Sequence, residues 1–281
     1  MKIKIYKIVK KILIHLILIS FSIFVLIPIY WNIITSFKTP VELSRIPPTL
    51  IPISPTLDYY TDLLTMRHFA ELIRNSIIVS LGNASFSTLI GTLLGYSISK
   101  IILSKQKREL LTITVAVFKS FPVLILIIPY YVFINSINLV DTWLGLIIPY
   151  LTFGVPFATW TMKGFFDEFP KAMEEAPLID GCSRISGFFK VTLVILLPSI
   201  FVVFIFTFLY SWNEFLYALI LTSTYNSQTV TIGVYATVSK WEIAWPKIAA
   251  AGVMSALPVL ALFILVRKYI VRGIVFGVVK G

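Results

Sequence analysis

The chain has 281 residues, 58% of them hydrophobic and only 13% charged, a balance that argues against an ordinary soluble protein. The net charge of +11 is carried by no basic soluble region, which argues against nucleic-acid binding and places the cations beside membrane helices instead. A single cysteine, Cys182, leaves no partner for an intrachain disulfide or a multi-thiolate metal site.

A bilayer core about 30 Å thick needs roughly 20 predominantly apolar helical residues. The opening MKIKIYKIVKK holds five lysines and no acid, and the apolar run after it, from Ile12 to Ile34, is too long for a signal peptide and lacks a small-residue cleavage site. It is read as a retained first span. Further spans are expected over Ile77 to Ser99, Leu110 to Ile134, Trp143 to Met162, Val191 to Leu221 and Ile248 to Val266. With the N-terminus inside, seventeen lysines and arginines fall on cytoplasmic segments and six outside, including Lys240. That asymmetry predicts an all-helical integral membrane protein of six spans with both termini cytoplasmic. The outer stretch from Lys38 to Arg74 carries Pro47, Pro48, Pro52 and Pro55, so an irregular loop is expected there, followed by a short amphipathic helix near Tyr59 to Phe69.

Between the fourth and fifth spans lies a polar segment, and five of the thirteen acidic residues gather between Asp167 and Asp180. Pro170 suits the first turn of a helix over Lys171 to Ala176. Asp180-Gly181 reads as a stop, with Gly181 able to take a positive φ, and Ser183 as the cap of a second helix. Physics alone leaves two readings open, an amphipathic loop on the membrane surface or an elbow that docks on another protein.

The ordered set Glu175-Ala176, Asp180-Gly181, Phe188, Leu193 and Pro198 resembles the EAA loop of ABC-importer permeases. Three more stretches extend the likeness: Phe165 to Gly181 (FFDEFPKAMEEAPLIDG), Ser211 to Leu219 (SWNEFLYAL) and Pro28 to Lys38 (PIYWNIITSFK). With the closing Val271-Arg272-Gly273 and Val279-Lys280-Gly281, these are similar to the carbohydrate-uptake, MalG-like branch. The resemblance implies a type I, MetI-like permease fold over one transmembrane domain, residues 1–281, with the coupling loop at about 163–192. It also implies a multi-pass place in the cytoplasmic membrane and sugar import powered elsewhere. Implied partners are a second homologous permease, two cytoplasmic ATPase subunits that bind ATP and magnesium, and an extracytoplasmic sugar-binding protein. Glu174, Glu175, Ala176, Asp180 and Gly181 are the coupling residues it assigns, with both glutamates offered to basic groups of the ATPase. The chain departs from the pattern twice. Pro177 replaces the second alanine and is expected to end or kink the first coupling helix at Ala176. Val194 replaces the first proline, so the loop is expected to run more directly into the fifth span.

No GxxxxGK[ST] phosphate loop occurs, and no carboxylate pair or Ser/His/Asp set has catalytic spacing, so an enzyme is not expected and no cofactor is assigned to the chain. Asn213 and Glu214, late in the expected fifth span, fit either a translocation pathway or a structural hydrogen bond. An ion-gradient-driven transporter with Glu214 as the ion site is the alternative function. Lys119 has no obvious partner except Glu214, unless it snorkels from a helix end. Asn83, Ser87, Gly91 and Gly95 recur every four residues and are expected to form a packing face.

Overall fold

A computed structural model describes residues 2–102, 104–238 and 244–278. Lys240 and the closing Val279-Lys280-Gly281 lie outside the described residues. Among the described residues the regular structure is helical, with no strand. The helices are α1 (Lys2–Thr35), α2 (Pro40–Leu43), α3 (Asp58–Thr65), α4 (Phe69–Tyr96), α5 (Lys105–Lys119), α6 (Val123–Ser136), α7 (Trp143–Glu168) and α8 (Lys171–Ile179). There follow α9 (Arg184–Gly187), α10 (Leu193–Ile195), α11 (Leu197–Trp212), α12 (Leu216–Leu221), α13 (Val230–Tyr235) and α14 (Trp245–Val278). Two π-helical turns, Ser97–Ile101 and Phe188–Thr192, continue α4 and α9.

Among the described residues, four helices are long and apolar enough to cross a bilayer, and the count rises to six if each of two bent pairs is one span. The expected third span is one of these pairs, since α5 and α6 meet at 89°. Pro122 caps α6 in an extended conformation and has no N–H to continue α5, so the helix turns there. The expected fifth span is broken twice. Its first part, Arg184–Ile195, meets α11 at 72° beside Pro198, which sits in the first turn of α11 and cannot donate back to Val194. The direct exit expected from Val194 is therefore not what forms. The second break, at Asn213 to Phe215, separates α11 from α12.

The chain divides into two compact units, residues 1–68 with 234–257 and residues 69–233 with 258–281, the boundary in α14 falling at Pro258. In the first unit, α1 exposes apolar side chains from Val9 to Ile33, as a helix bathed in lipid would. The proline-rich loop is organised around Glu42, 4% exposed, whose carboxylate accepts from Thr49 Oγ1 (2.6 Å) and from the Ile53 amide (3.0 Å). Lys38, 1% exposed, donates to the Thr49 carbonyl and lies 4.8 Å from the centre of the Trp31 ring. Helix α3 begins at Asp58, close to the amphipathic helix read from the sequence.

In the second unit, α4 packs along α7 and α11 on its small-residue face. A Cβ added at Gly91 would stand 2.4 Å from Ala158 Cβ, and one added at Gly95 only 2.8 Å from the Lys163 amide nitrogen. Such spacing requires glycine. From the other side, a Cβ at Gly154 would lie 2.2 Å from Ser87 Oγ. Asn83 closes the seam by donating to Ser211 Oγ (2.5 Å) and accepting from Ser87 Oγ (2.9 Å). The packing face expected from the four-residue repeat is present. Gly91→Leu is expected to force these helices apart at a cost of about 1–3 kcal/mol or more, read as a lower thermal midpoint of the purified protein.

Asp141 ties α6–α7 to the segment after α12, because its carboxylate accepts from the amides of Ser223 (2.8 Å) and Thr224 (3.0 Å) and from the hydroxyls of Thr224 and Ser227. Partial burial alone would raise its pKa, but these donors prevail and hold it below the ordinary carboxylate value. The contribution to stability is therefore complete above the ordinary value and is lost as pH falls through the lowered one. Asp141→Ala is expected to cost about 1–2 kcal/mol at neutral pH and to remove this part of the acid sensitivity, measured as thermal midpoint against pH.

Candidate functional site

The elbow between α7 and α11 is built on an aromatic base. Phe166, Phe169 and Phe188 are each at most 5% exposed and cluster with Met162, Leu196 and Val203. The Tyr96 ring, at the end of α4, stands 4.2 Å from Phe188 and 5.3 Å from Phe166 between ring centres. This anchors both arms of the elbow to the end of α4.

Helix α8 runs on to Ile179 rather than ending at Ala176, a correction to the expected effect of Pro177. Proline at this position forfeits one bond near the helix end, while the ring gains a place. Pro177 is buried, and its Cβ would lie 3.3 Å from a Cβ added at Gly187, so the two arms of the elbow touch there. Pro170 precedes the helix as its cap rather than occupying its first turn. The turn closes with Gly181 N–H donating to the Leu178 carbonyl (3.1 Å) and Cys182 N–H to the Pro177 carbonyl (2.9 Å). Gly181 has φ +83°, as read from the sequence, and Ser183 Oγ caps α9 by accepting from the Ser186 amide (3.2 Å).

The apex is open. Glu175, Ala176, Asp180 and Gly181 are exposed, and Ile179 (85%) and Ile185 (73%) stand out beside them as apolar side chains. Glu174 differs from its neighbour, since its carboxylate pairs with Lys100 Nζ at 3.1 Å and is turned into the protein. A polar cavity of about 410 Å³ lies there, bounded by Tyr96, Lys100, Arg108, Asp167, Glu174 and Arg184. Lys100 was read only as one of the cytoplasmic cations, and its pairing with Glu174 escaped the sequence reading.

A second cavity, of about 820 Å³, lies between α7 and α11. Its wall is aromatic, with Phe153, Phe157, Phe206, Tyr210 and Phe215, and its polar groups are Lys119, Thr207, Asn213 and Glu214. Asn213 and Glu214 sit in the break between α11 and α12, not inside a helix. Asn213 donates to the Leu209 carbonyl (2.8 Å) and is otherwise exposed. Glu214 accepts from the Tyr150 hydroxyl (2.7 Å) and from the amides of Tyr217 (2.9 Å) and Ala218 (3.3 Å). Its carboxylate thus serves as an N-terminal cap for α12 while also facing the cavity. Lys119 lies in the last turn of α5, with its ammonium 5.7 Å from the Phe157 ring centre and 5.8 Å from that of Trp160. It stabilises its charge on aromatic faces rather than pairing with Glu214.

Residues 87–275, more than half of the chain, match the family of binding-protein-dependent transport system inner membrane components. The chain belongs to this family. The permease is 32% identical to the sulfoquinovosyl glycerol transport system permease protein SmoH of Agrobacterium fabrum, across 91% of this chain and 89% of the relative. It is 31% identical to the trehalose/maltose transport system permease protein MalG of Thermococcus litoralis, across 98% and 99%. Among solved structures, a bacterial ABC transporter involved in import of the acidic polysaccharide alginate superposes with a TM-score of 0.76, covering 93% of this chain and 96% of that one at 18% identity. A MetNI methionine ABC transporter in inward-facing form gives 0.57 over 75% and 98%. The fold is thus that of an ABC importer permease, and the permease is a multi-pass membrane component of a transporter, not an enzyme.

Proposed function

We propose that this permease carries a sugar or oligosaccharide across the membrane in one transmembrane domain of six spans with cytoplasmic termini, α5–α6 and the pair meeting at Leu196 counting as single bent spans. Its route pairs it with a second homologous permease. Two ATPase subunits holding ATP and magnesium dock at the elbow, and an external sugar-binding protein delivers the substrate. Relatives named for sulfoquinovosyl glycerol and for trehalose and maltose support the substrate class. The single observation that carries the coupling role is the elbow apex, where Glu175, Ala176, Asp180 and Gly181 stand exposed beside Ile179 and Ile185 on a firmly packed aromatic base. A short rigid helix with an apolar tip and an acid is suited to a cleft in a protein partner.

On this reading the cavity of about 820 Å³, with Asn213 and Glu214 on its wall, is this subunit's share of the translocation pathway. Its aromatic faces fit the C–H faces of sugar rings, and its few polar groups fit hydroxyls. The ion-gradient alternative receives no support from the family, and the Glu214 carboxylate is already engaged by three donors. Reconstitution in liposomes with a second permease, an ATPase and a sugar-binding protein tests the proposal. Sugar uptake is expected to require ATP and to stop without any one of these partners; uptake by the permease alone along an ion gradient overturns it.

A further inference from the structure

The two adjacent glutamates of the elbow both border the polar cavity but differ in exposure and in partner. Glu175 is exposed at the apex, whereas Glu174 reaches back to the π-helical turn that ends α4. Resting on the coupling reading above, we infer that Lys100 and Glu174 form the link that passes movement of the elbow to α4. Glu174 is thus a positioning residue inside the subunit, and Glu175 is the acid left for the partner.

Three observations carry this. First, Lys100 Nζ holds the elbow at two points, Glu174 Oε2 at 3.1 Å and the Phe169 carbonyl at 3.2 Å, on either side of Pro170 where α7 gives way to α8. The α8 backbone packs on α9 and the following π turn, and the Lys100–Glu174 pair adds a side-chain tie from α8 to the turn that ends α4. Second, the pair is sheltered, with 12% and 24% of the two side chains exposed, unlike the open pair Lys105–Glu109 at 88% and 61%. A sheltered pair is screened little, and loss of one member leaves a charge without a partner. Third, the residue before Lys100 joins the same grip, because Ser99 Oγ donates to Asp167 Oδ1 (2.5 Å) on the last turn of α7. Neighbouring residues on an α-helix point about 100° apart, and the π-helical turn at Ser97–Ile101 widens the helix where two successive side chains must serve one target.

What is gripped can transmit. Helix α4 is seated on α7 through Gly91 and Gly95 with almost no space to yield, and Asn83 bonds it to α11. A displacement of α8 taken up by Lys100 therefore shifts a packed element rather than a loose one.

The test uses the complete transporter, reconstituted with its ATPase and binding protein. Lys100→Glu and Glu174→Lys are each expected to lower ATP-driven uptake roughly 10-fold, the size of a contact-pair coupling energy, with the ATPase still bound and ATP hydrolysis continuing. The double exchange is expected to restore at least about a third of wild-type uptake, short of full recovery because a carboxylate at position 100 cannot donate to the Phe169 carbonyl. Wild-type uptake by either single variant overturns the inference, and so does a double exchange no better than the singles. Loss of ATPase binding in Glu174→Lys also overturns it, since Glu174 would then belong to the docking face. If the ATPase fails to bind even the wild-type chain, the coupling reading falls and this inference with it.

Discussion

Gly181→Pro is expected to reduce ATP-driven uptake more than 10-fold while leaving the helix bundle intact. Proline fixes φ near −65°, and the residue at 181 stands at +83°. It also removes the N–H that closes the turn on the Leu178 carbonyl, so α8 can no longer fold back on α9 as it does. Space is not the constraint, because a Cβ added at Gly181 meets nothing within 4 Å. Gly181→Ala therefore isolates the backbone conformation, at about 1–2 kcal/mol for a residue held in the left-handed region, and a several-fold loss of uptake is expected from it. Uptake and thermal midpoint measured on both variants check the argument. Wild-type uptake by Gly181→Pro with normal ATPase association would show that the elbow does not transmit work.

Glu214→Ala is expected to lower both stability and uptake. The Tyr150 side chain is fully buried, and its hydroxyl left without an acceptor costs about 1–3 kcal/mol. Loss of the cap on α12 adds about 1 kcal/mol, since the amides of Tyr217 and Ala218 lose their acceptor as well. Glu214→Gln keeps a carbonyl oxygen for Tyr150 or the amides and is expected to retain most of the stability. Its uptake should still stay several-fold below wild type, because the charge on the cavity wall is gone. If Glu214→Gln transports at the wild-type rate, Glu214 is a structural cap alone and the cavity owes nothing to its charge.

Much of the elbow was legible because it is local. The positive φ at Gly181, the Ser183 cap and the two short helices follow from residue types within a few positions of each other. The close seam of α4 was legible too, because a four-residue repeat of small residues marks one helix face whatever lies opposite. The fate of Pro177 was not, since its cost is written in the local sequence but its compensation lies on Gly187, across the turn.

Glu214 shows the same limit from another side. An acid in an apolar run announced a function or a buried bond; the bond is present, in a carboxylate that caps α12 and receives the Tyr150 hydroxyl, and the same residue borders a cavity. For Lys119 the sequence offered Glu214 or a helix end; it stands in the last turn of α5 against two aromatic rings from α7.

By itself the sequence determined that this protein is a bundle of membrane helices with a polar elbow, because bilayer thickness and backbone hydrogen bonding allow few other uses of such long apolar runs. Which of two neighbouring glutamates pairs with Lys100, and what holds the Glu214 carboxylate, only the tertiary structure decided. Those outcomes depend on groups brought together from distant positions, Lys100 with Glu174 and Tyr150 with Glu214, and the energy of such a meeting is absent from any short stretch of chain.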